Sequence, residues 1–200
     1  MPVSYRQISL SLVLLTGLGI LVWKNTLGND FVCDDYTFVL QNPSIRSLSP
    51  ITKFLSPESS SDNAQMNRDF WRPLTTWSYA VSFQLGDLQP EFYHAVNIVL
   101  HLANAMLVFW FAFLLLNLEA PTAGPPTQMQ AAWLAAAIFL AHPVQCETVD
   151  WVAQRSNLLF LFWALDSSIF KFPRAPAWSG LSLSVALKAV LALFKFPAVR

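Results

Sequence analysis

Charge is scarce in this sequence. Its 200 residues carry twelve basic and twelve acidic side chains, 12% in all, where a soluble domain of this size carries about 25%. Net charge is zero. There is no basic surplus to neutralise phosphates along a polymer, so nucleic acid is excluded as a partner. Cysteine is nearly absent too. Cys33 and Cys146 fit no metal-ligand spacing and cannot make a disulfide framework; they read as two small hydrophobes, and a bond between them is not expected, although each adjoins an acidic candidate residue. No repeat period appears along the chain.

What the chain has instead is apolar bulk: 54% hydrophobic residues, with eight Trp and sixteen Phe. This is the composition of an integral membrane protein. The run from Ile8 to Trp23 exceeds a secretory h-region, ends in the interfacial pair Trp23–Lys24 and lacks a small-x-small cleavage site, so it reads as a retained first helix starting in the cytoplasm. Tyr93 to Leu118 is long enough to cross a hydrocarbon core of about 30 Å. Residues 131–141, 157–170 and 181–199 are marginal in length and must tilt, borrow flanking residues or pack against neighbours. The expected fold is all-α and membrane-embedded, with about five transmembrane helices. Residues 1–27 hold the first, 28–92 form a long external loop with short amphipathic helices near Ser49–Leu55 and Thr75–Leu85, and 93–200 hold the other four. No repeat domain is expected.

Charge sets a topology. With Arg6 inside, the tight loop carrying Lys171 and Arg174 also falls inside, as the positive-inside rule prefers. Asp34, Asp35, Arg72, His142, Glu147 and Arg155 then share the outer face.

Four polar groupings stand out against this background. Asp34–Asp35 lies just beyond the first helix. A carboxylate backed by apolar neighbours keeps a raised pKa and serves as a base; the plain alternative is a solvated turn or a helix cap. On the second long helix His94, Asn97, His101 and Asn104 are spaced three, four and three apart, which puts them on one face. Such a stripe must face protein or a water-filled cavity, and interhelical hydrogen bonding alone accounts for it. Two imidazoles without a third ligand do not make a metal site, and no metal is expected. In "HPVQCETVDWVAQR", Pro143 should break the third apolar segment beside His142, leaving Glu147, Asp150 and Gln154 on one side of the next turn. A short, broken apolar segment with ionisable groups marks a membrane binding site, or else a polar loop with a local ion pair. Finally, "FWRPLTTWSYA" sets Arg72 between Trp71 and Pro73; its fork suits a phosphate. Lys188 and Lys195 share a face of the last helix, to reach a phosphate or to snorkel.

In combination and order, "DDYTFVLQNPSIRSLS", "WRPLTTWSYAVSFQLGDLQPEFYHAVNIVLHLANAMLV" and "FLAHPVQCETVDWVAQRSNLL" resemble the N-terminal membrane region of the tetratricopeptide-repeat O-mannosyltransferase-like proteins, which are GT-C type glycosyltransferases. The resemblance covers about residues 28–165 and implies a partial GT-C fold. It implies transfer of a sugar, mannose foremost, from a polyprenyl-phosphate carrier to a protein Ser or Thr hydroxyl on the external or luminal face of a bacterial inner membrane or of the endoplasmic reticulum. The lipid-linked donor is the substrate, and no other cofactor is implied. Asp34 and Asp35 take the role of catalytic base, Arg72, Arg155 and Lys195 that of cations for the departing lipid phosphate, and His94, His101, His142 and Glu147 line the pocket. The partners implied are the donor, an acceptor protein or peptide, membrane lipid, and a separate subunit supplying further helices or repeats. The competing expectation is a truncated, non-catalytic membrane subunit or scaffold of the same fold.

Overall fold

The computed structural model describes residues 5–60 and 71–171. Every regular element among them is helical. Helix α1 (Tyr5–Trp23) leads into a 3₁₀ turn (Lys24–Gly28). A π turn at Tyr36–Leu40 and short 3₁₀ turns at Pro43–Arg46, Ile51–Leu55 and Pro57–Ser59 follow. Then come α2 (Pro73–Gly86), α3 (Pro90–Glu119), α4 (Pro125–Ala141), the single turn α5 (Cys146–Asp150) and α6 (Arg155–Lys171).

Two helices are long and apolar enough to cross a bilayer: Arg6–Gly28, which includes the turn after α1, and α3. A third span results if α4 and the bent segment Pro143–Asp150 are taken together. The five-span expectation therefore meets two or three spans among the described residues. Its fourth segment is α6, which does not count among the spans on length and apolarity, and its fifth, with Lys188 and Lys195, lies outside the described residues. Val13, Leu14 and Leu21 on α1, Val99 on α3, Ile138 on α4 and Phe160 and Trp163 on α6 all point outward. So much outward apolar surface suits lipid rather than water.

Proline places half of the helix starts. α2, α3 and α4 each begin with one, where the missing N–H is lost at no expense to the helix. Proline also makes the expected break. α4 ends at Ala141, His142 turns extended (φ −67°, ψ 129°) and the chain bends by 49°, because Pro143 denies its predecessor the helical conformation. The break leaves α4's last carbonyls without helical donors. Leu140 O is served from two other helices, by Trp23 Nε1 at 2.9 Å and His101 Nε2 at 3.1 Å.

The core has two parts. Leu15, Ile98, Ala105, Phe109, Ala136 and Leu140 join α1, α3 and α4. Phe31, Val39, Ile45, Phe54, Tyr79 and Tyr93 form a second cluster under the segments between α1 and α3. The segments between α1 and α3 thus have a core of their own, which holds their turns in place.

The α2–α3 corner is the tightest approach in that second part. A Cβ on Gly86 would overlap the Phe92 ring, and Asp87 takes a positive φ of 56° to turn the chain. Gly86→Ala is expected to lower stability by about 1–3 kcal/mol through overpacking. A thermal-unfolding midpoint in detergent equal to that of the unchanged chain would contradict this.

Candidate functional site

The acidic pair divides between two environments. Cys33, with φ 48°, turns the chain so that Asp34 is exposed and Asp35 fully buried. The Asp35 carboxylate bridges two segments. Its Oδ2 accepts from Val32 N at 3.1 Å, and its Oδ1 from Ala153 N at 2.7 Å. Burial pushes the Asp35 carboxyl above its ordinary value of 3.8, and the neighbouring Asp34 charge adds to this, although the hydrogen bonds from main-chain N–H groups pull the other way.

Arg155, two residues beyond Ala153, is completely buried. Its Nε donates to Asn97 Oδ1 at 2.7 Å, its Nη1 to Ser78 O at 3.0 Å and Ser82 Oγ at 3.0 Å, and its Nη2 to Tyr93 O at 2.9 Å. The guanidinium carbon lies 4.8 Å from the Tyr79 ring centre and 5.8 Å from that of Tyr93. Guanidinium suits this place because one planar fork serves several acceptors at once and stacks on aromatic faces. The fork joins α2, α3 and α6. Asp35 adds the nearby negative charge, and Tyr79 closes the ring by donating to Val152 O at 3.2 Å.

Arg72 lies at the edge of this group. Its Nη1 donates to Ser156 Oγ at 2.7 Å, and it shares a small cavity with Thr75, Thr76, Tyr79 and Ala153. Asp35, through Ala153 N, and Arg72, through Ser156 Oγ, thus meet on one short stretch, residues 152–156, which holds Arg155 itself. Of the two arginines, Arg72 is the exposed one; the donors of Arg155 are committed to protein acceptors.

The histidines are placed differently. His94, Asn97, His101 and Asn104 are all fully buried, so the polar stripe faces protein. Asn97 donates to Val149 O at 3.2 Å and Asn104 to Leu158 O at 3.0 Å. His101 packs edge-on against Trp23. His142 is exposed and accepts from Val144 N at 3.2 Å, which caps the turn after the break. Glu147 is exposed on the wall of an open cleft of about 590 Å³ between the Gly28–Cys33 and Cys146–Trp151 segments. Cys33 and Cys146 are free thiols on that same cleft. Lys195 lies outside the described residues, which hold no group of three or more His, Cys, Asp or Glu placed to bind a metal.

Sequence reasoning passed over three acceptors of Arg155, Ser78, Ser82 and the Tyr93 main chain, and the Tyr79 ring on which it stacks. The signal was there. Ser78 and Ser82 are four apart on α2 and so share a face, the face that an arginine from another helix would need. The Asp35–Ala153 contact joins positions 118 residues apart and had no local signal.

The arrangement is that of a membrane-embedded helical protein with an anchored acidic turn beside two arginines. The chain is similar to proteins named as protein O-mannosyl-transferases. It is 28% identical over 161 residues to "Protein O-mannosyl-transferase F38B6.6" of Caenorhabditis elegans, covering 80% of this chain and 22% of that protein. It is 25% identical over 191 residues to "Protein O-mannosyl-transferase TMTC3" of Homo sapiens, covering 92% and 20%, and 28% identical over 194 residues to "Protein O-mannosyl-transferase Tmtc1" of Drosophila melanogaster, covering 92% and 21%. The resemblance read from the motifs and these relatives agree. The chain spans about a fifth of the length of each of these relatives. No family model and no solved structure matches it.

Two outcomes are expected. Arg155→Lys should destabilise the fold by about 3–5 kcal/mol, because an ammonium cannot serve all the acceptors and leaves buried groups unpaired. An unchanged unfolding midpoint with loss of donor binding would instead put Arg155 on the donor. The Asp35 carboxyl is raised in the folded chain, so its contribution to stability is present below the unfolded value of 3.8 and is lost as pH rises through the folded value. The gap in unfolding midpoint between the unchanged chain and Asp35→Asn should therefore be widest at the acid end of a titration and narrow toward neutrality.

Proposed function

We propose that this chain is the membrane portion of a glycosyltransferase of the GT-C type. It moves a sugar, mannose by the names of its relatives, from a polyprenyl-phosphate carrier to a Ser or Thr hydroxyl on the external or luminal face. In this reading the chain carries five spans, the last of them outside the described residues. The membrane is a bacterial inner membrane or that of the endoplasmic reticulum.

The observation that carries the reading is the joining of the acidic turn to residues 152–156, beside which Arg72 binds Ser156. In the proposed step the acceptor hydroxyl gives its proton to the pair. Asp34 is the solvent-reachable member and Asp35 holds the turn. The acceptor oxygen forms a bond to the anomeric carbon, the bond from that carbon to the carrier phosphate oxygen breaks, and the configuration inverts. The departing phosphate keeps the electron pair, and Arg72, with Lys195 as a further cation, balances its charge. Arg155, His94 and His101 support this site from beneath; His142 and Glu147 stand on its outer side.

The second reading, a non-catalytic subunit or scaffold of the same fold, has one observation in its favour. Asp35 and Arg155, the most deeply held charges, are both spent on hydrogen bonds that hold the fold together.

Transfer of radiolabelled mannose from polyprenyl-phosphate-mannose to Ser/Thr peptides, in membranes expressing the chain, separates the two. The enzyme reading expects transfer that falls by about 10²–10⁴-fold in Asp34→Asn and weakens in Arg72→Ala. Absence of transfer from the unchanged chain selects the scaffold, and full activity of Asp34→Asn removes that residue as the base.

A further inference from the structure

Helix α6 runs in the same direction as α3. Arg155, at its start, bonds to Asn97, and Leu158 O accepts from the later Asn104. At 1.5 Å per residue, Asp166 lies about 12 Å beyond Leu158, level with about Ala112 of α3. From Ala105 to Leu116 the α3 sequence is apolar throughout, and this is the part of a span that a bilayer core receives. Asp166 is therefore a carboxyl at hydrocarbon depth.

It is also on the outward side of its helix. α6 packs along α3 with Leu158 and Leu165 buried, while Phe160, Trp163, Asp166 and Ser167 are exposed. Spacings of three and four put these four on one face. The neighbouring hydroxyls do not serve the carboxyl: Ser167 and Ser168 donate back to Ala164 O at 3.0 and 2.7 Å. Of the basic residues on α6, Arg155 is committed to protein acceptors. Lys171 is five positions beyond Asp166 and so off this face. A carboxylate turned to lipid is costly, and residues of this kind pair with an opposite charge from a neighbouring helix. The face thus calls for an apolar helix that carries a cation.

The sequence holds one. Residues 181–199, outside the described residues, are largely apolar, with Lys188 and Lys195 and no acid. α6 ends at Lys171, which is about 8 Å past Asp166 at the helical rise. A span returning from that side as a helix from Leu181 has Lys188 about 10 Å along it and Lys195 about 21 Å along it. Lys188 matches the depth of Asp166, and Lys195 does not. We propose that residues 181–199 seat on the Phe160–Trp163–Asp166 face of α6 as an antiparallel helix, with Lys188 paired to Asp166. Lys195 then stands two turns nearer the acidic turn, where the carrier phosphate is placed. The pairing rests on the five-span reading of the chain and not on sugar transfer.

Two measurements on the full chain test it. In a background of Cys33→Ser and Cys146→Ser, Asp166→Cys is combined with Lys188→Cys or with Lys195→Cys. Disulfide formation is then followed in native membranes under copper–phenanthroline. A disulfide needs Cα atoms within about 7 Å, so the pair with Lys188→Cys should close within one chain about tenfold faster or more than the pair with Lys195→Cys. Equal rates would overturn the proposal. So would rapid linkage of two chains by Asp166→Cys alone, which would mean that a second copy covers the face. The second measurement exchanges the charges. Asp166→Lys should lower the unfolding midpoint in detergent, Asp166→Lys/Lys188→Asp should recover most of the loss, and Asp166→Lys/Lys195→Asp should not. An unchanged midpoint in Asp166→Lys, or equal recovery by the two exchanges, would count against the pair. Crosslinking as expected in a chain that transfers no sugar would keep the helix pairing and remove the catalytic reading.

Discussion

The described structure is organised around one buried cation. A guanidinium taken out of water is costly unless nearly every N–H finds an acceptor. Arg155 meets that condition by drawing on three helices at once: hydroxyls and a carbonyl of α2, a carbonyl and an amide oxygen of α3, and its own start of α6. None of those helices can shift alone without leaving a charge or a polar group unpaired. Its position fixes residues 152–154, which in turn present the Ala153 N–H to Asp35. The acidic turn is therefore held in place by a network whose centre is an arginine that does not itself face the solvent.

The division of labour between paired residues follows from burial. Asp34 and Asp35 are chemically identical neighbours, and so are Arg72 and Arg155 in type. In each pair one member is enclosed and holds structure, and the other is exposed. Burial draws Asp35 toward its neutral form, which lessens its repulsion with Asp34, while the main-chain hydrogen bonds favour the charged form.

Much of this was legible in the sequence, for stated reasons. The 3.6-residue period made the His94–Asn97–His101–Asn104 stripe visible, and all four are buried against protein. Proline chemistry located the break after His142 within a residue. The apolar runs marked α1 and α3, the two helices long and apolar enough to cross a bilayer without a bend. What sequence alone could not give was the partner of each polar group. A lone arginine next to a polar turn reads equally well as a phosphate ligand or as a structural hub, and only the three-dimensional meeting with Ser78, Ser82 and Tyr93 decides where its donors go. The cleft was hidden for the same reason, since its two walls are more than a hundred positions apart in the chain.

The carbonyl of Leu140 has a mechanical consequence. Helix α4 has 17 residues, fewer than the roughly 20 that cross a typical bilayer core, and its end is tied by that one oxygen to Trp23 on α1 and His101 on α3. A helix shorter than the bilayer core answers the mismatch by drawing the bilayer thinner around it or by shifting against its neighbours. This one cannot shift without pulling on two others. Bilayer thickness therefore acts on the three helices as a single body, and the segment beyond the break, with its share of the cleft wall, rides with them.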